Sequence, residues 1–373
     1  MHRVYFFIFF FIAVNYNTTG CTKNENFKDV YNEQIILNLE EIKTSYWVHP
    51  VSEKLFGTGL LEISDDCKRL IVYDHYTKEF ILTNNIGEIL DKLGGEGRGP
   101  GEFYQPVQMN NMGEDTFYVL DPANYRISNF KINNSKLNYI SSVSYKNSSN
   151  YFLTSYYPLL QRDFGIYNVS EGYFTPENYY ILFRIDNHLN PQNKMITMPG
   201  HERQKLERPD FVMYTPHQYL HRTFWDIDKD WFYFLTTDNS TIYRVHLETG
   251  EEQVISTLNL EKRVNSKAFA ELLIATYSDT GNDDEYWAVL NKIDFLPLFA
   301  SFIVETNIIY LTLLPTPGIE GITLVIDIET EEVKYFSHPQ EFVPKAICGN
   351  TVYGIDYRVD ESYQIVQLEF QDE

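Results

Sequence analysis

The chain alternates short apolar runs with short polar turns, and this pattern recurs along nearly its whole length. Each repeat has an apolar strand, a turn rich in Asp, Asn, Gly or Pro, a second strand and then an outer strand. Aromatic and β-branched residues bounded by such turns predict strands rather than helices. The predicted strand pairs are 69–74 with 79–83, 116–121 with 126–130, 178–184 with 194–198, 231–236 with 241–246, 307–312 with 321–327 and 351–356 with 363–368.

Six such repeats over residues 35–373 average about 56 residues each, close to the roughly 40–50 residues of a propeller blade. Closing the repeats into a ring removes exposed sheet edges. We therefore predict an all-β, six-bladed β-propeller with four-stranded antiparallel blades. Residues 33–42 are expected to supply the outermost strand of the last blade and so to close the ring. Helical insertions are predicted over residues 266–277 and near residues 284–293.

The N-terminus has the features of an export signal. His2 and Arg3 precede an apolar run over residues 4–14, which is too short to span a bilayer but suits a signal-peptide core. The small residues before Cys21 resemble the lipobox of bacterial lipoproteins, in which this cysteine becomes the acylated N-terminus. Thr18 departs from that motif, which usually has Leu, and a plain secretory signal is the alternative. We predict a signal peptide over 1–20, a lipid-anchored tether over 21–32 and the propeller domain over 33–373.

The second repeat carries the most specific pattern. Residues 94–103 (GGEGRGPGEF) lead towards the strand 116–121, and residues 124–127 (NYRI) open the next strand, with Phe130 after it. This arrangement resembles the NHL repeat. Together with the signal region, the chain resembles the six-bladed β-propeller lipoproteins of Gram-negative bacteria. The resemblance implies a propeller anchored in the cell envelope, at the outer membrane or facing the periplasm, and it implies no defined activity.

The net charge of −22 repels phosphate backbones, so no nucleic-acid partner is predicted. Besides Cys21, the chain has only Cys67 and Cys348, which precede the first and last repeats. An exported protein could pair them, but we expect two free, buried thiols.

The glycine-rich segment 94–101 gives two candidate ligand-binding residues, Arg98 and Glu102, which could project onto a ligand-facing surface. The segment has no Gly-Lys-Ser/Thr ending and leads into a strand, so it does not predict a phosphate-binding loop. Its glycines suit a connection between blades, where positive φ angles are needed.

The turn after the strand 116–121 gives four further candidates. We expect Asp121 and Arg126 to form an ion pair within the blade, with Asn124 shaping the turn. The alternative is that Asn124 and Tyr125 contact a ligand, because equivalent turns of adjacent blades can ring one face of a propeller. Comparable turns add the candidates His75, Tyr76, Asp238, Tyr357 and Arg358.

No motif predicts a metal site or a catalytic centre. His217 and His221 could share one face of a helical turn capped by Thr215 and Pro216, as in a metal site, but we expect a surface turn. The acidic segment 279–285 lacks the spacing of a calcium loop. No cofactor is predicted, and calcium or zinc is left open. The leading hypothesis is a non-catalytic, membrane-anchored module that binds a protein, peptide or glycan; the alternative is a metal-dependent, lactonase-like hydrolase or lyase with its site at the central channel.

Overall fold

The computed structural model shows that the predicted repeats form β-sheets. It describes residues 35–36, 38–48, 59–144, 159–162, 165–171, 179–185, 191–208, 211–216, 220–237, 240–258, 260, 263–267, 269–271, 290–316, 319–340, 342–359 and 362–371. The predicted signal peptide and the whole predicted tether, with Cys21, lie outside these residues, as do His217, Asp238 and the segment 279–285. Within the described part, no helix is long and apolar enough to cross a membrane.

The first three sheets follow one another along the chain, and each contains four antiparallel strands. The strands are numbered in chain order. Sheet 1 contains β3 (Leu61–Ile63), β4 (Arg69–Asp74), β5 (Glu79–Asn84) and β6 (Ile89–Gly94). Sheet 2 contains β7 (Gln108–Asn111), β8 (Thr116–Asp121), β9 (Arg126–Asn133) and β10 (Lys136–Ser144). Sheet 3 contains β11 (Leu159–Arg162), β12 (Gly165–Glu171), β13 (Tyr179–Ile185) and β14 (Pro191–Pro199).

The next three sheets keep this plan, but two of them recruit strands from the N-terminal part of the chain. Sheet 4 contains β17 (Thr223–Asp228), β18 (Trp231–Thr236), β19 (Thr241–His246) and β20 (Glu252–Thr257). Sheet 5 contains β23 (Phe299–Glu305), β24 (Ile308–Leu313), β25 (Gly321–Asp327) and β26 (Val333–His338), with β1 (Glu40–Glu41) parallel to β26. Sheet 6 contains β27 (Phe342–Cys348), β28 (Thr351–Val359), β29 (Ser362–Phe370) and β2 (Thr44–Val48).

Two short hairpins and a short helical segment lie outside these sheets. The hairpins are β15 (Arg203–Arg208) with β16 (Phe211–Pro216), and β21 (Arg263–Val264) with β22 (Phe295–Leu296). Thr215 and Pro216 therefore end a strand rather than cap a helical turn, and residues 217–219 lie outside the described part. Proline fits at the end of a strand, where its missing N–H breaks no ladder hydrogen bond. Lys267 is helical, in agreement with the helical insertion predicted over residues 266–277.

The core is divided into apolar clusters that each join two sheets. Separate clusters join sheets 1 and 2, 2 and 3, 3 and 4, 4 and 5, and 5 and 6, and a further cluster joins sheet 6 to sheet 1. In β8, Phe117 and Val119 pack towards sheet 1, while Tyr118 and Leu120 pack towards sheet 3. Because successive side chains of a strand point to opposite faces, a strand between two sheets must be apolar on both. This explains the continuous apolar runs of the sequence.

This arrangement is an all-β propeller built of four-stranded antiparallel blades, and that part of the prediction is confirmed. In sheets 1, 2, 4, 5 and 6 the second and third strands match the predicted pairs closely; β8 and β9, for example, begin at Thr116 and Arg126 as expected. In sheet 3 the pair predicted over 178–184 and 194–198 corresponds to the third and fourth strands, β13 and β14.

The strand expected over residues 33–42 is wrong in its position. Ile35, Ile36 and Leu39 pack against the cluster between sheets 4 and 5, and Glu40–Glu41 pairs with β26 of sheet 5. The outer strand of sheet 6 is instead Thr44–Val48, which pairs antiparallel with β29. The apolar residues of 33–42 cover an existing core, whereas the β-branched and aromatic residues that follow form the strand.

Cys67 and Cys348 form a disulfide, so the expectation of two free thiols is wrong. Cys67 lies in the turn between β3 and β4, and Cys348 ends β27. Packing of sheet 1 against sheet 6 brings their Cα atoms to 5.9 Å, within the range that a disulfide requires. The bond links positions 281 residues apart. A structural disulfide of this kind is typical of an extracytoplasmic protein.

Candidate functional site

Three exposed tyrosines lie on neighbouring loops at one end of sheets 1 and 2. Tyr76 is in the turn between β4 and β5, Tyr104 in the connection between β6 and β7, and Tyr125 in the turn between β8 and β9. Their exposed fractions are 79%, 48% and 45%, respectively. We call these three residues the aromatic rim.

The β6–β7 connection is bound to the turns on both sides of it, which makes the aromatic rim one continuous surface. On the sheet 1 side, the Gly95 amide donates to the Lys78 carbonyl at 2.9 Å. On the sheet 2 side, the Asp121 carboxylate accepts hydrogen bonds from the amides of Tyr104 at 2.8 Å and Gln105 at 3.0 Å. Asp121 is fully buried, so a carboxylate in the interior holds the backbone that carries Tyr104.

The other polar residues of the β8–β9 turn hold the same connection. The Asn124 amide donates to the Gly97 carbonyl at 2.9 Å and to the Asp121 carboxylate at 2.8 Å. The Arg126 guanidinium donates through Nη1 to the carbonyls of Arg98 and Gly99, at 3.0 and 2.9 Å.

The ion pair expected between Asp121 and Arg126 is therefore wrong, although the two residues are register partners of β8 and β9. Asp121 accepts from backbone amides and Arg126 donates to backbone carbonyls of the β6–β7 connection. A glycine-rich connection exposes many unpaired backbone groups, and these compete successfully with the side-chain pair.

The side chains of Glu102 and Arg98 differ in their exposure to solvent. The Glu102 carboxylate turns inward and accepts a 2.6 Å hydrogen bond from the Gly99 amide. Arg98 is exposed and only its carbonyl is held by Arg126. Of these two candidates, Arg98 is the one whose side chain faces solvent beside the aromatic rim.

Of the remaining candidate residues, the side chain of His75 is described and those of Tyr357 and Arg358 are not. His75 is exposed next to Tyr76, and its Nε2 lies 3.3 Å from the Lys78 ammonium. Partial desolvation, and then the Lys78 charge, lower the pKa of His75, which favours the neutral imidazole at pH 7. The backbone of Tyr357 and Arg358 belongs to β28, but their side chains lie outside the described part.

A second group of polar side chains faces the centre of the propeller. Glu62 on β3 and Asp226 on β17 belong to sheets 1 and 4, which share no apolar cluster. Yet desolvation, and then the charges of Asp226 and Glu305, raise the pKa of Glu62 well above its usual range. These residues lie on the first strands of their sheets, and the first strands of neighbouring sheets contact one another, as the innermost strands around the central channel of a propeller do.

Asp226 is placed to exchange a proton near neutral pH. Its carboxylate accepts hydrogen bonds from the amides of Val304 at 2.7 Å and Ile227 at 2.8 Å, but desolvation still raises its pKa to about 7. Lys345 on β27 also lies in the innermost part of the fold, and desolvation lowers the pKa of its ammonium. Among the described residues, no group of three or more His, Cys, Asp or Glu side chains is arranged to hold a metal ion.

No known protein-family model matches the chain, and no curated protein matches it in sequence. Solved structures do match it. A protein of Bacteroides fragilis NCTC 9343 assigned as exported is 14% identical, with a TM-score of 0.55, over 92% of this chain and 98% of that one. The likeness is one of fold.

Two further matches are weaker. A member of the DUF4221 family from Bacteroides vulgatus has a TM-score of 0.49 at 11% identity, over 89% of this chain and 99% of that one. A gluconolactonase of Xanthomonas campestris has a TM-score of 0.44 at 8% identity, over 90% and 92%. The disulfide of this chain agrees with an exported protein.

Sequence reasoning missed Tyr104 and the channel residues. Tyr104 follows Phe103, which is fully buried. A buried residue followed by an exposed one is common in β-structure, so the pair gives no sign of a binding site. Glu62 lies between the buried residues Leu61 and Ile63, a pattern shared by any half-exposed strand. Only the arrangement of the sheets brings Glu62 and Asp226 to one channel, and no local signal in the sequence marks them.

Proposed function

We propose that the chain is an exported lipoprotein, anchored through Cys21 in the cell envelope, whose six sheets form a closed six-bladed ring. We further propose that it binds a protein, peptide or glycan on the aromatic rim without catalysing a reaction. Packing of each sheet on the next, and of sheet 6 on sheet 1, supports the ring.

The observation that carries the binding role is the combination of exposed aromatic rings with a rigid support. Tyr76, Tyr104 and Tyr125 present large surfaces to solvent, and tyrosine offers both an apolar face and a hydroxyl to sugars and peptides. The supporting backbone is held by hydrogen bonds that the Asp121 carboxylate accepts and that the Asn124 and Arg126 side chains donate. Such preorganisation lowers the entropy lost on binding.

Glycan and peptide arrays probed with the mature protein test this role. The triple variant Y76A/Y104A/Y125A is expected to lose the binding that the wild type shows. The matched control is I86A/I140A/V254A, which removes three exposed apolar side chains elsewhere, with exposed fractions of 59%, 52% and 61%. A wild type that binds nothing on either array, or a rim variant that binds as the wild type does, would contradict the proposal.

The anchor is tested separately. The C21S variant of the full-length chain is expected to move from the membrane fraction to the soluble envelope fraction and to lose incorporation of a labelled fatty acid. Equal membrane association of C21S and wild type would instead support a plain secretory signal.

A second candidate function is an enzyme whose site is the central channel, because Asp226, with a pKa raised to about 7, could act as a general acid or base. The metal-dependent hydrolase or lyase belongs to this class. Screening of lactone and ester substrates, with metal analysis of the purified protein, distinguishes it from the binding module. Activity that D226N abolishes and the rim variant retains would favour the channel.

A further inference from the structure

Several buried polar groups lie beneath the aromatic rim. They take no part in the hydrogen bonds that hold the β6–β7 connection, and they have no other partner within the described part of the chain. Arg126 is 7% exposed, Tyr73 is 1% exposed and Ser128 is fully buried. The Nε and Nη2 atoms of Arg126, the Tyr73 hydroxyl and the Ser128 hydroxyl have no hydrogen-bond partner among the described atoms. Buried polar atoms are nearly always paired, so several unpaired ones in one place indicate a missing partner.

These groups share one interface. Arg126 and Ser128 alternate with Ile127 on β9 and lie on the same face as Phe130, which packs towards sheet 1. Tyr73 comes from the opposite side of that interface, and its ring lies 4.9 Å from Phe80, which in turn lies 5.4 Å from Phe130. Tyr73 is the next-to-last residue of β4, and the β4–β5 turn that follows it is bonded to the β6–β7 connection through the Gly95 amide and the Lys78 carbonyl.

The unpaired groups are mostly donors, with the Asn124 Oδ1 acceptor in the same turn, and the carboxylates of Asp121 and Glu102 already accept hydrogen bonds. Arg126 contributes the two nitrogens of a guanidinium edge, and Tyr73 and Ser128 each contribute a hydroxyl. Asp121 accepts from two backbone amides and from Asn124, and Glu102 accepts from the Gly99 amide. A buried guanidinium edge with two free N–H directions has the geometry that binds a carboxylate through two parallel hydrogen bonds.

We propose that this set of groups binds the carboxylate of the ligand that the aromatic rim holds. Arg126 donates through Nε and Nη2, and the Tyr73 and Ser128 hydroxyls complete the donor set. The proposal rests on the binding role of the rim and gives the ligand its chemical class, a carboxylic acid.

The probes are chosen to separate the two sources of a carboxylate. Galacturonate represents an acidic sugar and N-acetylglycine a peptide carboxyl end, with galactose as the neutral sugar control and sodium chloride at matched ionic strength. Calorimetric titration and thermal shift of the mature protein are the readouts. One of the two acids is expected to bind saturably and raise the melting temperature, while galactose binds more weakly and sodium chloride has no comparable effect.

Y73F and S128A are the decisive variants, because each removes an unpaired hydroxyl and leaves the Nη1 brace of Arg126 intact. Each is expected to fold as the wild type does and to bind the acid about tenfold more weakly, as loss of one hydrogen bond to a charged group predicts. R126K, which keeps the charge but not the paired donors, is expected to bind more weakly still.

Failure of this proposal differs from failure of the rim. If neither acid binds better than galactose, or if Y73F and S128A bind the acid as the wild type does, the carboxylate site is wrong. Binding of neutral ligands that Y76A/Y104A/Y125A abolishes would then still support the rim. If the rim variant keeps full affinity for the acid, the link between the two sites is wrong.

Discussion

Tyr46 of β2 donates a 2.8 Å hydrogen bond to the carboxylate of Asp356 on β28, across 310 positions of the chain. Asp356 is almost completely buried, so the hydroxyl helps to satisfy a carboxylate in the interior of sheet 6. The bond fixes the N-terminal strand to a strand with which it is not paired, since β29 lies between them.

Removing that hydroxyl is expected to weaken the protein measurably. Y46F should lower the free energy of unfolding by about 1–3 kcal/mol, because a buried charged acceptor loses a donor. Guanidinium unfolding at equilibrium is the measurement, and W47F is the control, since the neighbouring Trp47 is 60% exposed. Equal unfolding midpoints for Y46F and the wild type would contradict this expectation and would show that water replaces the Tyr46 hydroxyl without loss of stability.

The Cys67–Cys348 disulfide should stabilise the fold by restricting the unfolded chain. C67A/C348A is expected to lose about 2–5 kcal/mol of unfolding free energy. In scanning calorimetry, dithiothreitol should lower the melting temperature of the wild type and leave that of the double variant unchanged. An effect of the reductant on both proteins alike would contradict the assignment.

Glu102 is expected to act as the internal support of the β6–β7 connection. A Cβ atom on Gly97 would overlap the Glu102 carboxylate and displace it from the Gly99 amide, so G97A should destabilise the fold by about 1–3 kcal/mol through the lost hydrogen bond. In an E102A background the same substitution should have a much smaller effect, and a double-mutant cycle measures the difference. Gly59, which has nothing within 4 Å of an added Cβ, provides the control G59A; additive effects of G97A and E102A would contradict the contact.

His338 should make stability depend on pH in the mildly acidic range. Its Nδ1 lies 2.9 Å from the Pro339 carbonyl and its Nε2 lies 3.1 Å from the Thr323 hydroxyl. Burial lowers the pKa of His338 to about 4, against about 6.5 in an unfolded chain. Because the unfolded state binds the proton first, stability is full above pH 6.5 and falls as the pH drops towards 4, by about 3 kcal/mol for this group.

H338Q separates this effect from that of the carboxylates, because glutamine keeps a neutral side chain that can hydrogen-bond to Thr323. Urea unfolding at pH 7, 5.5 and 4 should show a smaller loss of stability in H338Q than in the wild type over that interval. Parallel pH profiles for the two proteins would rule out His338 as the titrating group.

The strands that the sequence predicted best are those buried on both faces. In β8, side chains pack alternately towards sheets 1 and 3, so the apolar run is unbroken and its ends are marked by turn residues. The first strand of a sheet is harder to recognise, and β3 has only three residues. The strand predicted over residues 33–42 lies elsewhere, because a segment that packs on a core and a strand contain the same apolar residue types.

The candidate site was predictable in residue type but not in contacts. Asp121, Asn124 and Arg126 were identified from their place in a turn, and they do lie next to the exposed tyrosines. Their partners are backbone groups of residues 97–105, and a sequence contains no information on which carbonyl a side chain will reach. The channel carboxylates depend on distances between separate sheets and leave no local pattern.

Sheet 6 takes its outer strand from residues 44–48 and its other three strands from residues 342–370. Its assembly must therefore wait until nearly the whole polypeptide has been synthesised. Until then β2 has no partner strand, and sheet 1 lacks the neighbour that covers one of its faces. Folding of this protein is thus a late event in its biogenesis, and a chain truncated near its C-terminus would leave its first sheet open to aggregation.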